Sequence, residues 1–369
     1  MNKSNLFYKT FNGKKVLITG HTGFKGSWLT SWLALMGAHI TGLALDPITS
    51  PSHFDEINLE KKIDDIRIDI REHKKINTII NDIKPDFIFH LAAQALVKDS
   101  LKNPRDTWET NVIGTINLLD ACRNLDNHCT VILITSDKCY KNSEWIWGYR
   151  ETDILGGSDP YSGSKAATEL AIYSYLKSYF DNQSKVQISI GRAGNVIGGG
   201  DWSNDRIIPD IINAWNKKME VKIRNPLSTR PWQHVLEPLS GYLCLAMNLR
   251  EGLKLHGEPF NFGPNDNCNY TVQDVANSMA IYWKGGKWVD VSDSSNDYES
   301  GLLKLNCDKA MELLKWNATL TFEETIKLTV NWYEDYFKNE LNTQTITNRQ
   351  IFEYEKIAKE RNLNWAQGH

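Results

Sequence analysis

The feature that most constrains this chain is a rhythm. Over the first 190 residues, short apolar runs alternate with stretches whose apolar residues recur at helical spacing. Lys15–Thr19, His39–Leu45, Asp65–Asp69, Asp86–Leu91, Val131–Ser136 and Val186–Gly191 read as strands. Gly26–Met36, His73–Ile83, Pro104–Cys122 and Tyr161–Tyr179 read as helices. Strands that alternate with helices imply right-handed crossovers and a parallel sheet. Continuously apolar strands suit a sheet covered on both faces. The expected fold is α/β, a doubly wound parallel sheet.

After about Gly191 the rhythm breaks. Gly, Pro, Asn and Trp cluster in 191–205 and 224–238. A length of 369 residues accommodates two domains. The expected division is a sheet domain over 1–191 and a smaller mixed lobe, mainly 192–340, with a late return to the sheet near Glu258–Phe262. Residues 341–369 are polar, with a helix expected at Asn348–Arg361, either docked or loose.

Composition removes several classes of function. The net charge of -3 exerts no global pull toward nucleic acid or anionic membrane. No apolar run approaches the roughly 18 residues of a membrane span, and Met1 to Phe11 lacks an apolar signal core. The six cysteines form no C-x-x-C pair, so neither a metal site nor a disulfide framework is expected. Reduced thiols in a cytoplasm are the simple expectation.

Two motifs carry chemistry. The first is Thr19-Gly20-His21-Thr22-Gly23-Phe24-Lys25-Gly26, which follows one expected strand and opens a helix. Gly20, Gly23 and Gly26 let the backbone turn tightly against a pyrophosphate, and the helix N-terminus supplies free N–H groups. His21 and Lys25 add two basic groups that either touch phosphate or are solvated. Asp46 ends the second strand, 20 residues after Gly26. A carboxylate there binds a ribose diol and repels a 2′-phosphate, which favours NAD over NADP. Without that role, Asp46 is a turn residue before Pro47.

The second motif is Tyr161-x-x-x-Lys165, whose i, i+4 spacing puts both side chains on one helix face. The lysine is expected to lower the tyrosine pKa, so that the phenol exchanges a proton with a sugar hydroxyl. Thr135-Ser136-Asp137-Lys138 ends the fifth strand, where ligands of doubly wound sheets sit. Ser136 is the preferred hydroxyl. Simple alcohol oxidation needs only hydroxyl, Tyr and Lys. The added Asp137 and Lys138 suggest a second reaction. A 4-ketone acidifies C5–H, so loss of the C6 hydroxyl and return of hydride to C6 would give a 4-keto-6-deoxy sugar.

These residues resemble the extended short-chain dehydrogenase/reductase superfamily and, within it, the nucleotide-sugar 4,6-dehydratases. The glycine spacing, Asp69-Ile70 (an adenine contact), Leu91-Ala92-Ala93-Gln94 (a loop beside the cofactor, with Gln94 also on the substrate side) and Asn111 in T-N-V-I-G-T all resemble that superfamily. The fold this implies is Rossmann-like, with NAD as cofactor. Gly20–Leu29, Thr135–Tyr140, Trp147–Glu151, Asp159–Lys165, Arg192–Trp202 and Arg224–Gly241 are similar to the branch acting on CDP-glucose. The resemblance covers about residues 10–335, and the base of the nucleotide rests on it alone.

The resemblance implies roles. Asp137 would protonate the leaving C6 hydroxyl. Lys138 stands where a glutamate base is usual. It would act as base only if neutral; otherwise it stabilises an enolate or pairs with Glu144 or Glu151. Asn195 resembles the residue touching the sugar diphosphate, and Gly198–Asp201 would be a nucleotide loop. Arg224 and Arg230 are spaced to clamp a pyrophosphate, with Arg206 a further candidate. His234 is either a ligand or structural, and Trp202 and Trp232 are expected to pack. By resemblance, Pro104–Cys122 and Tyr161–Tyr179 would form the interface of a homodimer, or of a tetramer built on it; their apolar residues could equally pack on the sheet. Two other readings remain: an epimerase or decarboxylase, which would not need Asp137, and a non-catalytic NAD-binding regulator, which would not need the intact Ser136, Tyr161 and Lys165 set.

Overall fold

The computed structural model describes residues 5–181, 183–264, 270–292 and 303–368. Seven strands form one sheet: β1 (Lys15–Thr19), β2 (His39–Ala44), β3 (Asp64–Arg67), β4 (Phe87–His90), β5 (Cys129–Ile134), β6 (Val186–Ala193) and β7 (Pro259–Phe262). Their order is β3-β2-β1-β4-β5-β6-β7, and every pairing is parallel. The order reverses between β1 and β4, so a crevice opens beyond their C-terminal ends, at Thr19 and His90.

Alternation along the strands sorts the two faces. Val16, Ile18, Phe87, Phe89, Ile132 and Ile134 belong to one core cluster. Leu17, Ile88, Val131 and Leu133 belong to the other. Both sets are buried because helices cover both faces. Helix α1 (Phe24–Leu35) contributes Trp28 and Trp32 to the first cluster. Helix α2 (His73–Ile83) contributes Ile76 and Ile80 to the second.

The expected helix Pro104–Cys122 is interrupted. Helical segments Pro104–Trp108 and Gly114–Arg123 are joined by a π-turn at Glu109–Ile113. The second-face cluster also takes Ile172 and Leu176 from helix α3 (Pro160–Tyr179). Of the apolar residues expected on these helices, Leu119 and Ile172 pack on the sheet, whereas Trp108 and Leu170 are exposed.

Beyond residue 341 the chain docks. Helix α4 (Thr343–Glu360) buries Ile346, Ile351 and Tyr354 in the first-face core. Trp32 Nε1 donates to Glu355 Oε1 at 2.9 Å, and Trp332 Nε1 donates to Thr347 Oγ1 at 3.1 Å. Five of the six cysteines are described, and all five are buried thiols; Cys268 lies outside the described residues. No metal-ligating cluster occurs among the described residues, and no described helix is long and apolar enough to cross a membrane.

Candidate active site

The glycine loop is built by close approach. Gly20 has φ +75°, and a Cβ there would lie 2.7 Å from Ala92 N. A Cβ on Gly26 would lie 2.0 Å from Gly20 O, so the first turn of α1 presses onto the loop. Gly23 caps α1 with no side-chain hydrogen bond, which leaves the helix N–H groups for an outside acceptor. Thr22 Oγ1 donates to Leu45 O at 2.9 Å. The Asp46 side chain is 88% exposed, with Arg67 Nη1 at 3.6 Å.

Asn111 joins the post-β4 loop to the catalytic helix. Its Oδ1 accepts the Gln94 N–H at 2.8 Å, and its Nδ2 donates to Gln94 O at 3.1 Å and Ser164 Oγ at 2.8 Å. The π-turn also leaves Asn111 O to accept from Thr115 and Thr168 hydroxyls. Ile70 is buried, and a Cβ on Gly114 would lie 2.5 Å from its Cγ2. Asp69 is gripped by Arg71, whose guanidinium holds its carboxyl below the usual range.

Two basic groups of the loop behave differently from expectation. His21 is not a loop cation. Its ring is fully buried and its Nε2 lies 2.8 Å from Asp65 Oδ1, and burial lowers its pKa. Lys25 is not simply solvated either. It is half-buried and its charge faces Asp137, Arg206 and Lys165. Burial lowers its pKa to about 8, opposed by the Asp137 charge.

At the end of β5 the expected set converges. Thr135 Oγ1 is committed to Glu169 Oε1 at 2.5 Å, which leaves Ser136 as the hydroxyl at the cleft. Ser136 Oγ donates to Asp137 Oδ1 at 2.9 Å, and its hydroxyl acts to lower the pKa of the Tyr161 phenol. Asp137 is 2% exposed, and burial raises its pKa against the opposing charges of Lys138 and Lys25. Lys138 is half-buried, and the Glu151 carboxylate accepts the Asn261 N–H at 2.8 Å.

Tyr161 departs from the expectation of a lowered pKa. Burial pushes it up to about 12, and the Asp137 charge adds to that. Lys165 is 5% exposed and makes no ion pair among the described residues. Burial lowers its pKa to about 8, opposed by Glu169.

On the substrate side, Asn195 and Arg224 are exposed and Arg230 is half-buried. Arg206 Nη1 donates to Asp201 Oδ2 at 2.9 Å, and its charge acts on Tyr161. Of the two alternatives for His234, ligand or structural, the second holds: it is a core residue. It is fully buried, edge-on to Trp28, with Nδ1 accepting the Leu236 N–H at 3.3 Å; burial lowers its pKa to about 3. Trp202 and Trp232 pack, as expected.

Sequence reasoning missed the Glu169–Arg192 pair behind this site. Glu169 lies four residues after Lys165 on the same helix, a spacing that could have revealed it.

The sequence model of the GDP-mannose 4,6 dehydratase family matches residues 17–329, and the chain belongs to that family. Among curated relatives, CDP-glucose 4,6-dehydratase of Salmonella typhimurium is 43% identical over 350 residues, covering 93% of this chain and 97% of that protein. UDP-glucuronic acid decarboxylase 1 of Xenopus tropicalis is 26% identical, covering 90% and 75%. Solved structures share the fold. The epimerase Mth375 of Methanothermobacter thermautotrophicus superposes with TM-score 0.77 at 22% identity, covering 91% of this chain and 97% of that one. The dTDP-glucose 4,6-dehydratase of Bacillus anthracis gives 0.72 at 22%, covering 89% and 98%.

Proposed function

We propose that this chain dehydrates CDP-glucose to CDP-4-keto-6-deoxyglucose with NAD that is regenerated in each turnover, and so supplies deoxysugar synthesis. The observation that carries the reading is a buried acid, Asp137, one hydrogen bond from the Ser136 hydroxyl, with both groups acting on the Tyr161 phenol. An epimerase has no use for that acid. The 43% identity to the Salmonella enzyme over nearly its whole length supports cytidine as the base.

The residues present fit NAD. Gly20 and Gly26 leave no room for a Cβ, the α1 N-terminus has no side-chain cap, and the Lys165 ammonium is buried without an ion-pair partner among the described residues. Gly20, Gly23 and Gly26, with the main chain of His21, Thr22, Phe24 and Lys25, would hold the pyrophosphate. Asp46 would take a ribose diol, Asp69-Ile70 the adenine side, and Leu91–Gln94 with Asn111, Tyr161 and Lys165 the nicotinamide side. When bound, NAD supplies the hydride acceptor for C4 and the donor for C6.

The protein's own groups move protons. Tyr161, as phenolate, takes the O4–H proton, steadied by Lys165 and Ser136. Lys138 would take the C5 proton or stabilise the enolate charge. Asp137, protonated, gives its proton to O6, which leaves as water. Gln94, Asn195, Arg206, Arg224 and Arg230 would hold the nucleotide sugar. Residues 1–191 would form the NAD domain and 192–340 most of the sugar-nucleotide lobe. Exposed Trp108, Ile113, Leu170 and Tyr173 suit a homodimer seam, and a cytoplasmic enzyme fits the reduced thiols.

The test incubates protein and NAD separately with CDP-, dTDP-, GDP- and UDP-linked glucose or mannose and follows mass. Loss of one water from CDP-glucose, with no net NADH, is expected. Loss from another sugar alone removes cytidine. No loss from any, with NAD bound, removes the reaction.

A further inference from the structure

One buried histidine joins the glycine loop to the C-terminal end of the chain, and the chemistry above makes no use of it. His53 opens a single helical turn, His53–Glu56, on the crossover from β2 to β3. It is 2% exposed, and burial lowers its pKa to about 3. The ring is therefore neutral, with one nitrogen that donates and one that accepts.

Its hydrogen-bond partners decide which is which. Ser27 Oγ donates its one hydrogen to Phe24 O at 2.9 Å and lies 2.7 Å from His53 Nδ1. The hydrogen of that second bond therefore comes from Nδ1. On the other side Nε2 lies 3.0 Å from Thr347 Oγ1, which accepts the Trp332 Nε1–H at 3.1 Å. The threonine's own hydrogen is left for Nε2. Both ends agree on one directed chain, from Trp332 through Thr347, His53 and Ser27 to Phe24 O.

Packing holds the ring in that chain. It stacks on Trp28, with centroids 4.9 Å apart and planes 7° from parallel. Gly200, at φ +80°, approaches so closely that a Cβ there would lie 2.5 Å from His53 Cδ2.

The chain of bonds ends under the glycine loop. Phe24 is the first residue of α1, and Ser27 N–H closes the first turn on Gly23 O at 2.8 Å. The N–H groups that this turn leaves for an outside acceptor take their aim from its placement. Trp332 and Thr347 lie beyond residues 17–329, the stretch that the family model matches.

We propose that His53 is a positioning residue for NAD: its Nδ1–H holds Ser27 and the first turn of α1 in place, and Thr347 of α4 fixes the ring. The proposal rests on the reading of Gly20–Gly26 as the cofactor cradle.

The test is calorimetric titration of NAD into the full-length protein freed of cofactor, with no substrate present. Two substitutions separate the ring nitrogens. His53→Asn sets an amide N–H near the place of Nδ1, and His53→Gln sets one near the place of Nε2. Both lose the ring and its stacking on Trp28. The Gln variant is expected to bind NAD about tenfold more weakly, the size of one lost hydrogen bond, and the Asn variant to stay within about twofold of wild type. Equal weakening in the two, which a packing role alone gives, overturns the proposal, as does wild-type affinity in the Gln variant. Should both fail to fold, Ser27→Ala decides. Its hydroxyl is buried against Phe24 O and His53, so NAD affinity is expected to fall about tenfold, and unchanged affinity overturns the proposal. Nitrogen NMR of the wild-type ring should place the hydrogen on Nδ1, and a hydrogen on Nε2 overturns the chain. A wild type that binds no NAD strikes the cradle reading itself and is seen before any variant is made.

Discussion

Arg192 grips Glu169 at two points, with Nε 2.8 Å from Oε1 and Nη2 2.9 Å from Oε2, and both side chains are 3% exposed. Thr135 donates to the same carboxylate, and Arg192 Nη1 continues to Tyr140 Oη at 2.7 Å. Strand β5, strand β6 and the catalytic helix are thereby pinned one helical turn from Lys165. Removing one partner strands a buried charge. Glu169→Gln is expected to cost about 3–5 kcal/mol of stability, read by urea unfolding. Arg192→Met combined with Glu169→Met should recover much of it. A Gln variant as stable as wild type would show that the pair contributes nothing.

Asp137 is expected to separate oxidation from water loss. Asn at that position keeps the shape and the Ser136 contact but cannot donate the proton to O6. Asp137→Asn should lose water release by about 10²–10⁴-fold, while NADH fluorescence builds up and persists with CDP-glucose. Burial raises the Asp137 pKa, and the working form is the protonated one. Activity limited by this acid is therefore full below that pKa and falls as pH rises through it. Undiminished water release in the Asn variant would assign the acid elsewhere.

What was legible in the sequence was local. β1 and α2 stand at their expected bounds because apolar periodicity and a following turn fix them. Ser136, Tyr161 and Lys165 converge because a strand end and one helical turn place them. The misread features depend on tertiary partners. His21 reads as a loop cation until Asp65, 44 residues away, takes its ring. Tyr161 reads as acidified until burial is known. The C-terminal helix reads as polar because its buried face includes Thr347, Gln350 and Glu355. Their partners are Trp332, the Leu328 carbonyl and Trp32.

Three buried histidines should make the fold acid-sensitive. Burial lowers His53, His90 and His234 from 6.5 to about 3. Each is neutral when folded and takes up a proton on unfolding once pH drops below the unfolded value. Their contribution is complete above pH 6.5 and is lost as pH falls toward 3, at up to about 1.4 kcal/mol per unit for each. Glu237 and Glu355, whose values burial raises, pull the other way. The comparison that isolates one histidine is the pH slope of urea-unfolding free energy between pH 7 and 5 in wild type and His53→Gln. The variant is less stable throughout, because Ser27 and Thr347 lose the ring between them. Its slope should be shallower by about one proton, and an equal slope would refute the assignment.

Lys25 can be assigned by which property it controls. Its charge faces Asp137 and holds the Asp137 pKa down against burial. Lys25→Met removes that opposition, so the Asp137 value rises further. Because Asp137 works protonated, the alkaline limb of kcat/KM should move to higher pH, by about one unit, while NAD affinity, followed by tryptophan fluorescence, changes little. A lysine that instead contacts the cofactor phosphate gives the opposite pattern: the limb stays in place and affinity drops about tenfold, the size of one lost charge-assisted hydrogen bond. The position of the ammonium favours the first outcome. Lys25 shares its buried surroundings with Lys165 and Arg206, and Asp137 is the neighbouring carboxylate that raises its pKa. An ammonium among two other cations gains most by facing that charge, so its loss should register in the acid before it registers in the cofactor.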